Sequence, residues 1–467
     1  MYDAMVLLAI AASALSPARR FTCRLPARLR DALGHPLTLP LALLALCAAQ
    51  HAYFALMLDA SYHQRPDYAF LQRMPVRIIN DTGGANHIAP AYGDRFAGLA
   101  LLESLALAAI YHALVRPRPW QLALVAIVAL GGCAEALVVR AGTNADMYSY
   151  VGFTLLGGAA YTPPAVAFAG AFAVINAWWG TPLIPAPYGP VWLHVASAIA
   201  GLAPTLYAKI VALRLLGAGA LLGVVAGLAA LRFPPRSVAL VALNPALVLE
   251  FVTNVHNDLF AVVLVLGARV AATRGAILPA IALAVLAALV KLPFLLFAAL
   301  AFVPIVCRRK RVAAYLAATA CALAISWLWG GPAYLAALLH HADEHTTGHA
   351  LALLSEPGAL LKIAALAGIA IAFLSDTWFE GIAWALPTVG VTLFPWYLCW
   401  SLPYAVASKE MLRNVAIALP LVTFATDKAL GNGEVSVLLQ VALYGWLTVS
   451  CARLMIARRR MALARAT

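Results

Sequence analysis

Charge is scarce in this chain. Asp, Glu, Lys and Arg make up 11% of its 467 residues, and only 19 of them are acidic. A soluble domain carries about 25% charged residues, so the composition excludes an ordinary soluble fold and, with it, a charge-rich disordered chain. The seven cysteines (Cys23, Cys47, Cys133, Cys307, Cys321, Cys399, Cys451) form no C-x-x-C pair, which gives neither a zinc site nor a disulfide framework. The chain has no G-x-x-x-x-G-K-[ST], no G-x-G-x-x-G after a strand and no Asp-x-Asp, so nucleotide-driven chemistry has no visible site. Nor does an internal repeat stand out, which weakens a transporter reading.

What the chain has instead is apolar length. Hydrophobic residues make up 64%, and the mean hydropathy is +0.88. Runs of the order needed for spanning helices lie at 4–15, 37–58, 96–115, 119–139, 206–231, 237–252, 258–273, 276–306, 312–329, 359–374, 382–408, 413–426 and 434–452. The N-terminus lacks the basic n-region of a signal peptide and opens with Asp3, so 4–15 is read as a short first span. The run 276–306 lies between two basic loops and must cross an even number of times. A hairpin is predicted, with Lys291-Leu292-Pro293 at its tip, and 382–408 has a similar tip at Pro395-Trp396-Tyr397. The expected fold class is an all-α polytopic membrane protein of roughly 13–15 segments.

The net charge of +13 arises from clusters beside the spans, such as Arg19 to Arg30, Arg308 to Arg311 and Arg453 to Arg465. Basic clusters placed this way mark cytoplasmic loops and not a nucleic-acid groove. Roughly 22 of the 32 Lys and Arg residues then fall inside, and the C-terminus is cytoplasmic. The outer connections become 59–95, 140–205, 329–358 and 427–433. The longest, 140–205, holds apolar pieces punctuated by prolines, with Trp178 and Trp179 suited to an interfacial belt. It is read as helices on the outer surface, roofing a cavity. Gly219, Gly223 and Gly227 give one helix a flat face for packing.

Ionisable groups at membrane depth are functional candidates. Asp146, in Thr143-Asn144-Ala145-Asp146-Met147-Tyr148-Ser149-Tyr150, lies just past a span and can act as a proton acceptor or as a helix cap. A second group is Asn244-Pro245, Glu250 and Asn254-Val255-His256-Asn257-Asp258, whose polar density exceeds what a cap requires. Lys291 and Arg140 can each meet a lipid phosphate or simply snorkel; Lys209 and Arg214 start the next span, Arg214 deeper. Tyr188-Gly189-Pro190-Val191-Trp192, with His194 behind, is a rigid turn able to clamp a chain or stack on a sugar, or merely a surface turn. His340-His341-Ala342-Asp343-Glu344-His345 has histidines at i and i+4 but lacks the H-E-x-x-H order.

Taken in order, Asp146 with Tyr148, Tyr188 to Trp192, Asn244-Pro245 with His256-Asn257-Asp258, Lys291-Leu292-Pro293 and Pro395-Trp396-Tyr397 resemble the integral-membrane GT-C glycosyltransferases. The likeness is in particular to the bacterial mannosyltransferases that use polyprenyl-phosphate-mannose, and it spans roughly residues 90–400. The extra polar segment 59–95 departs from the family pattern. The resemblance implies that Asp146 is the catalytic base and that transfer occurs on the extracytoplasmic face of a bacterial inner membrane. His256, Asp258, Lys291, Tyr188, Arg140, Asn257 and Tyr148 are the expected donor-phosphate and substrate contacts. The implied partners are a polyprenyl-phosphate sugar donor, a glycan, glycolipid or lipid acceptor, and membrane lipid. No cofactor is expected, since a monophosphate leaving group does not demand a metal, although some relatives use one. Another sugar or acceptor (an arabinose donor, or a lipid A or protein acceptor) and a lipid or solute transporter without bond chemistry are the competing readings.

Overall fold

Long uncharged stretches leave the backbone one economical way to satisfy its own N–H and C=O groups in lipid, which is the helix. The computed structural model describes residues 35–62, 74–79, 90–165 and 168–346. The expected spans at 4–15 and beyond residue 358, the terminal basic clusters and the Pro395-Trp396-Tyr397 motif lie outside the described residues.

The helices are α1 (Thr38–Tyr62), α2 (Pro90–Ala113), α3 (Pro119–Val138), α4 (Asp146–Leu156), α5 (Ala173–Trp179), α6 (Pro190–Gly201), α7 (Leu206–Ala230), α8 (Pro235–Ala242), α9 (Pro245–Leu247), α10 (Asp258–Thr273), α11 (Ile277–Val290), α12 (Phe294–Ala301) and α13 (Arg308–Thr346). Among the described residues, five helical stretches are long and apolar enough to cross a membrane: 38–61, 92–113, 119–138, 206–230 and 309–340. The pair α8 and α9, with the π-helical turn Val248–Thr253 that continues α9, makes a sixth broken by a 43° bend. The chain is therefore an all-α polytopic membrane protein, and Leu41, Leu44, Ile127, Leu130 and Leu316 stand exposed as its lipid-facing surface.

Local sequence sets the breaks. Proline opens α3, α6, α8 and α9 at the first helical position, where its missing N–H costs nothing. Asn244 and Thr205 cap α9 and α7 by accepting the N–H of Ala246 and Ala208, each at 3.2 Å. The expected hairpin in 276–306 is present, with α11 ending at Val290 and α12 starting at Phe294 around Lys291-Leu292-Pro293. Gly223 and Gly227 lie against Val263 and Leu266 of α10, as a small-residue face predicts, while Gly219 meets nothing.

Two regions differ from the sequence reading. The expected loop 329–358 is helical again from Pro332 as far as Thr346: Gly331 (φ 53°, ψ −147°) is a one-residue non-helical break that divides α13 into two helical stretches. The polar segment 59–95 is tied into the fold at its described residues. Arg77–Ile78 (β1) pairs in parallel with Ala141–Gly142 (β2), and the Tyr148 hydroxyl bonds both the N–H and the carbonyl of Val76. The 140–205 segment does form short helices, α4, α5 and α6, joined by 3₁₀ turns at Gly157–Tyr161 and Gly170–Phe172.

Candidate functional site

The loops that follow α3, precede α10 and follow α11 converge. Their meeting is organised by Arg214, which is wholly buried in α7. Its guanidinium donates to the carbonyls of Leu137 (3.2 Å), Val139 and Ala141 (3.4 Å), and its Nε to that of Thr253 (3.0 Å). The last carbonyls of a helix have no intrahelical donor, and Arg214 together with the Tyr207 hydroxyl on Val138 (3.0 Å) supplies donors at the end of α3. The same cation thus ties the strand leading to Asp146 to the turn leading to His256.

A second tie is more direct. The Asn254 side chain accepts the N–H of Thr143 at 3.0 Å and donates to the Thr143 hydroxyl at 2.7 Å, across 111 residues of chain. Asn254 also donates to Glu250 Oε2 at 3.2 Å. Val255, between Asn254 and His256, takes φ +67°, rare for a β-branched residue. Strain of this kind persists where the surroundings over-determine it, and here it sits beside His256. The π-helical turn that carries Glu250 is a second irregularity often found at functional sites. Gly217 of α7 permits the approach, since a Cβ there would sit 1.8 Å from the carbonyl oxygen of Phe251.

The result is a chain of charged and polar groups. Asp146 Oδ2 lies 3.4 Å from His256 Nδ1, and His256 Nε2 lies 3.4 Å from Glu250 Oε2. Lys291 Nζ donates to Asp258 Oδ1 at 2.7 Å and stands 5.7 Å from the centre of the Tyr188 ring. The side chains of Glu250, His256 and Asp258 are at most 2% exposed, whereas Asp146 and Lys291 keep 18% and 11%. Burial raises the Asp146 pKa; the charges of His256 and Lys291 pull it back, and those of Asp258 and Glu250 push it further up. Burial also lowers the His256 pKa, against the pull of Asp146 and Asp258.

Buried side-chain atoms without a hydrogen-bond partner gather in the same place: Glu250 Oε1, Thr253 Oγ1, Asp258 Oδ2 and both amide atoms of Asn257. Each such atom costs about 1–3 kcal/mol when nothing satisfies it. No group of three or more His, Cys, Asp or Glu among the described residues could hold a metal ion. Of the 340–345 run, only the His340 side chain lies within the described residues.

The sequence-predicted residues divide accordingly. Asp146, His256, Asn257, Asp258 and Lys291 are brought to one locality, with Tyr188 stacked beside Lys291. The Tyr188 hydroxyl shares a 3.2 Å hydrogen bond with that of Tyr150. Gly189 lets this turn dock, because its N–H donates to Val290 at 3.0 Å and a Cβ would sit 2.1 Å from the Leu289 carbonyl. Arg140 is not part of the group. Its exposed guanidinium lies over the Tyr207 ring at 4.8 Å. Tyr148 is wholly buried with its hydroxyl on Val76, which makes it a tie to the 74–79 segment. His256 was expected to face a phosphate, and both its ring nitrogens face carboxylates instead. Thr143 and Tyr150 went unweighed in the sequence, although both belong to the Thr143 to Tyr150 string around Asp146.

Residues 100–309 match the family model described as alpha-(1->6)-mannopyranosyltransferase, N-terminal domain. The matched region contains Asp146, Tyr188, Glu250, His256, Asp258 and Lys291, and it agrees with the resemblance read from the motifs. No curated protein and no solved structure matches the chain.

Proposed function

We propose, from the likeness of residues 100–309 to a mannosyltransferase domain, that this membrane protein transfers a mannosyl group from a polyprenyl phosphate to an acceptor hydroxyl. The acceptor is a glycan, glycolipid or lipid, and the reaction faces the exterior of a bacterial inner membrane. One observation carries the mechanism: Asp146 and Lys291 are the two partly open ends of an otherwise closed charge network.

Asp146 opens α4, where the helix dipole favours a negative charge, so a base can be kept ionised despite its burial. It takes the proton of the acceptor hydroxyl as that oxygen attacks the anomeric carbon. The bond from carbon to phosphate oxygen breaks, its electron pair goes to the phosphate, and a single displacement inverts the anomeric centre. The developing phosphate charge needs a fixed cation. An ammonium has three donors, and a phosphate oxygen can join Asp258 on Lys291. The Tyr188 ring beside it offers a face to the sugar. The unsatisfied amide of Asn257 and the second oxygen of Asp258 are further polar contacts for a hydroxylated ligand.

The test is product stereochemistry. Purified protein supplied with β-linked polyprenyl-phosphate-mannose and a mannoside acceptor is expected to yield an α-linked product, read from the anomeric coupling by NMR. A β-linked product would overturn the single displacement, and no transfer with any lipid-phosphate sugar would overturn the activity.

A further inference from the structure

His256 is held between two carboxylates, one on each ring nitrogen, and only one of those carboxylates has an open end. Asp146 is reached from outside, while Glu250 is 1% exposed and lies behind the imidazole. A base of the proposed kind needs only the first. We propose that Glu250 is a second proton acceptor, reached from Asp146 through His256, so that Asp146 stays ionised while the sugar is transferred. This rests on the proposed transfer reaction and adds a residue to it.

The groups facing the imidazole are Asp146 from the start of α4, Glu250 from the π turn, and the Asp258–Lys291 pair from the starts of α10 and the α11–α12 connection. An ionised Glu250 orients the neutral ring with its N–H on Nε2, which turns the Nδ1 lone pair toward Asp146. That lone pair is the acceptor for a proton that Asp146 has taken. When the acceptor oxygen bonds to the anomeric carbon, its proton passes to Asp146. Asp146 Oδ2 then hands a proton to His256 Nδ1, while Nε2 releases its own to Glu250 Oε2. The chain ends with a carboxylic acid at Glu250, the other tautomer of His256 and a carboxylate at Asp146. The three groups together then hold the acceptor's proton; after product departure the reverse transfer returns it to Asp146, which releases it to water and so restores the start. Contacts of 3.4 Å are long for such transfers, and catalytic hydrogen bonds of this kind shorten when the substrate is in place. Asn254, donating to the same Glu250 oxygen that faces His256, fixes the carboxylate in line.

The test uses the full-length protein in vesicles with polyprenyl-phosphate-mannose and a soluble acceptor. Glu250→Gln keeps an oxygen able to accept from Asn254 yet cannot take a proton. It is expected to lower kcat roughly tenfold or more, short of the 10²–10⁴-fold value of a positioned base, with the donor KM within about twofold. Glu250→Asp should restore part of that loss. Unchanged kcat in Glu250→Gln, or equal kcat in the Gln and Asp variants, would overturn the relay while leaving the transfer reaction standing. Should both variants fail to fold, the wild type decides. In a single turnover read with a pH dye, proton release is expected to lag behind sugar transfer, and release in step with transfer would overturn the proposal. A wild type without any transfer removes the reaction on which the relay depends.

Discussion

The Lys291 ammonium lies 2.7 Å from the Asp258 carboxylate, and the two side chains start from different helix ends to meet in an interior where neither could stand alone. Taking one partner from a buried pair leaves the other charge uncompensated, which costs about 3–5 kcal/mol. Replacing both removes that penalty.

Lys291→Met is therefore expected to destabilise the protein by about 3–5 kcal/mol, and Lys291→Met/Asp258→Leu by clearly less than the sum of the single changes. Thermal or denaturant unfolding in detergent checks this. Both variants should lose donor binding even where the fold recovers, because the cation for the phosphate is absent. Additive single effects would show that the pair is not coupled.

Gly189→Ala places a methyl 2.1 Å from the Leu289 carbonyl oxygen, and Gly217→Ala places one 1.8 Å from that of Phe251. Neither oxygen can swing aside as a flexible side chain would, so each change is expected to cost at least the roughly 1–3 kcal/mol of overpacking. Gly219→Ala, in the interior of α7 with nothing within 4 Å, is the control and should cost nothing in the same unfolding assay, helix propensity favouring Ala there by roughly 0.5–1 kcal/mol.

The pH dependence follows from the sign of the Asp146 shift. A base must be ionised, so activity rises with pH along a limb set by the Asp146 carboxyl. Burial places that limb above the range of an ordinary aspartate, near 3.9. Lys291 lowers the Asp146 pKa while Asp258 and Glu250 raise it. Glu250→Gln should accordingly move the limb of kcat/KM to lower pH. A shift in the opposite direction would mean that another group sets the limb.

Much of the scaffold was legible because membranes read hydropathy directly. The spans at 37–58, 119–139 and 206–231 match helices closely, and the Lys291-Leu292-Pro293 break was visible as a charge and a proline inside one long apolar run. The 329–358 region misled because Gly331-Pro332 and the polar run after Leu339 look like the start of a loop, yet Gly331 breaks the helix at a single residue and proline is tolerated in the first turn of the helix that follows. At the site, residue types were legible and partners were not. Asp146, His256 and Lys291 stood out as costly polar groups in apolar surroundings. That His256 bridges two acids, and that Tyr148 is spent on Val76, depends on contacts between distant segments. Those contacts are registered by Arg214, whose four carbonyl partners leave no trace in a sequence because every residue has a carbonyl.

Asp146 is the base of the proposed transfer, and turnover of Asp146→Asn with polyprenyl-phosphate-mannose decides whether it is. Asn is nearly isosteric and leaves the helix start intact, so the variant is expected to keep its unfolding temperature and donor affinity while kcat falls by about 10²–10⁴-fold. A folded Asp146→Asn protein that transfers mannose at the wild-type rate would contradict the account.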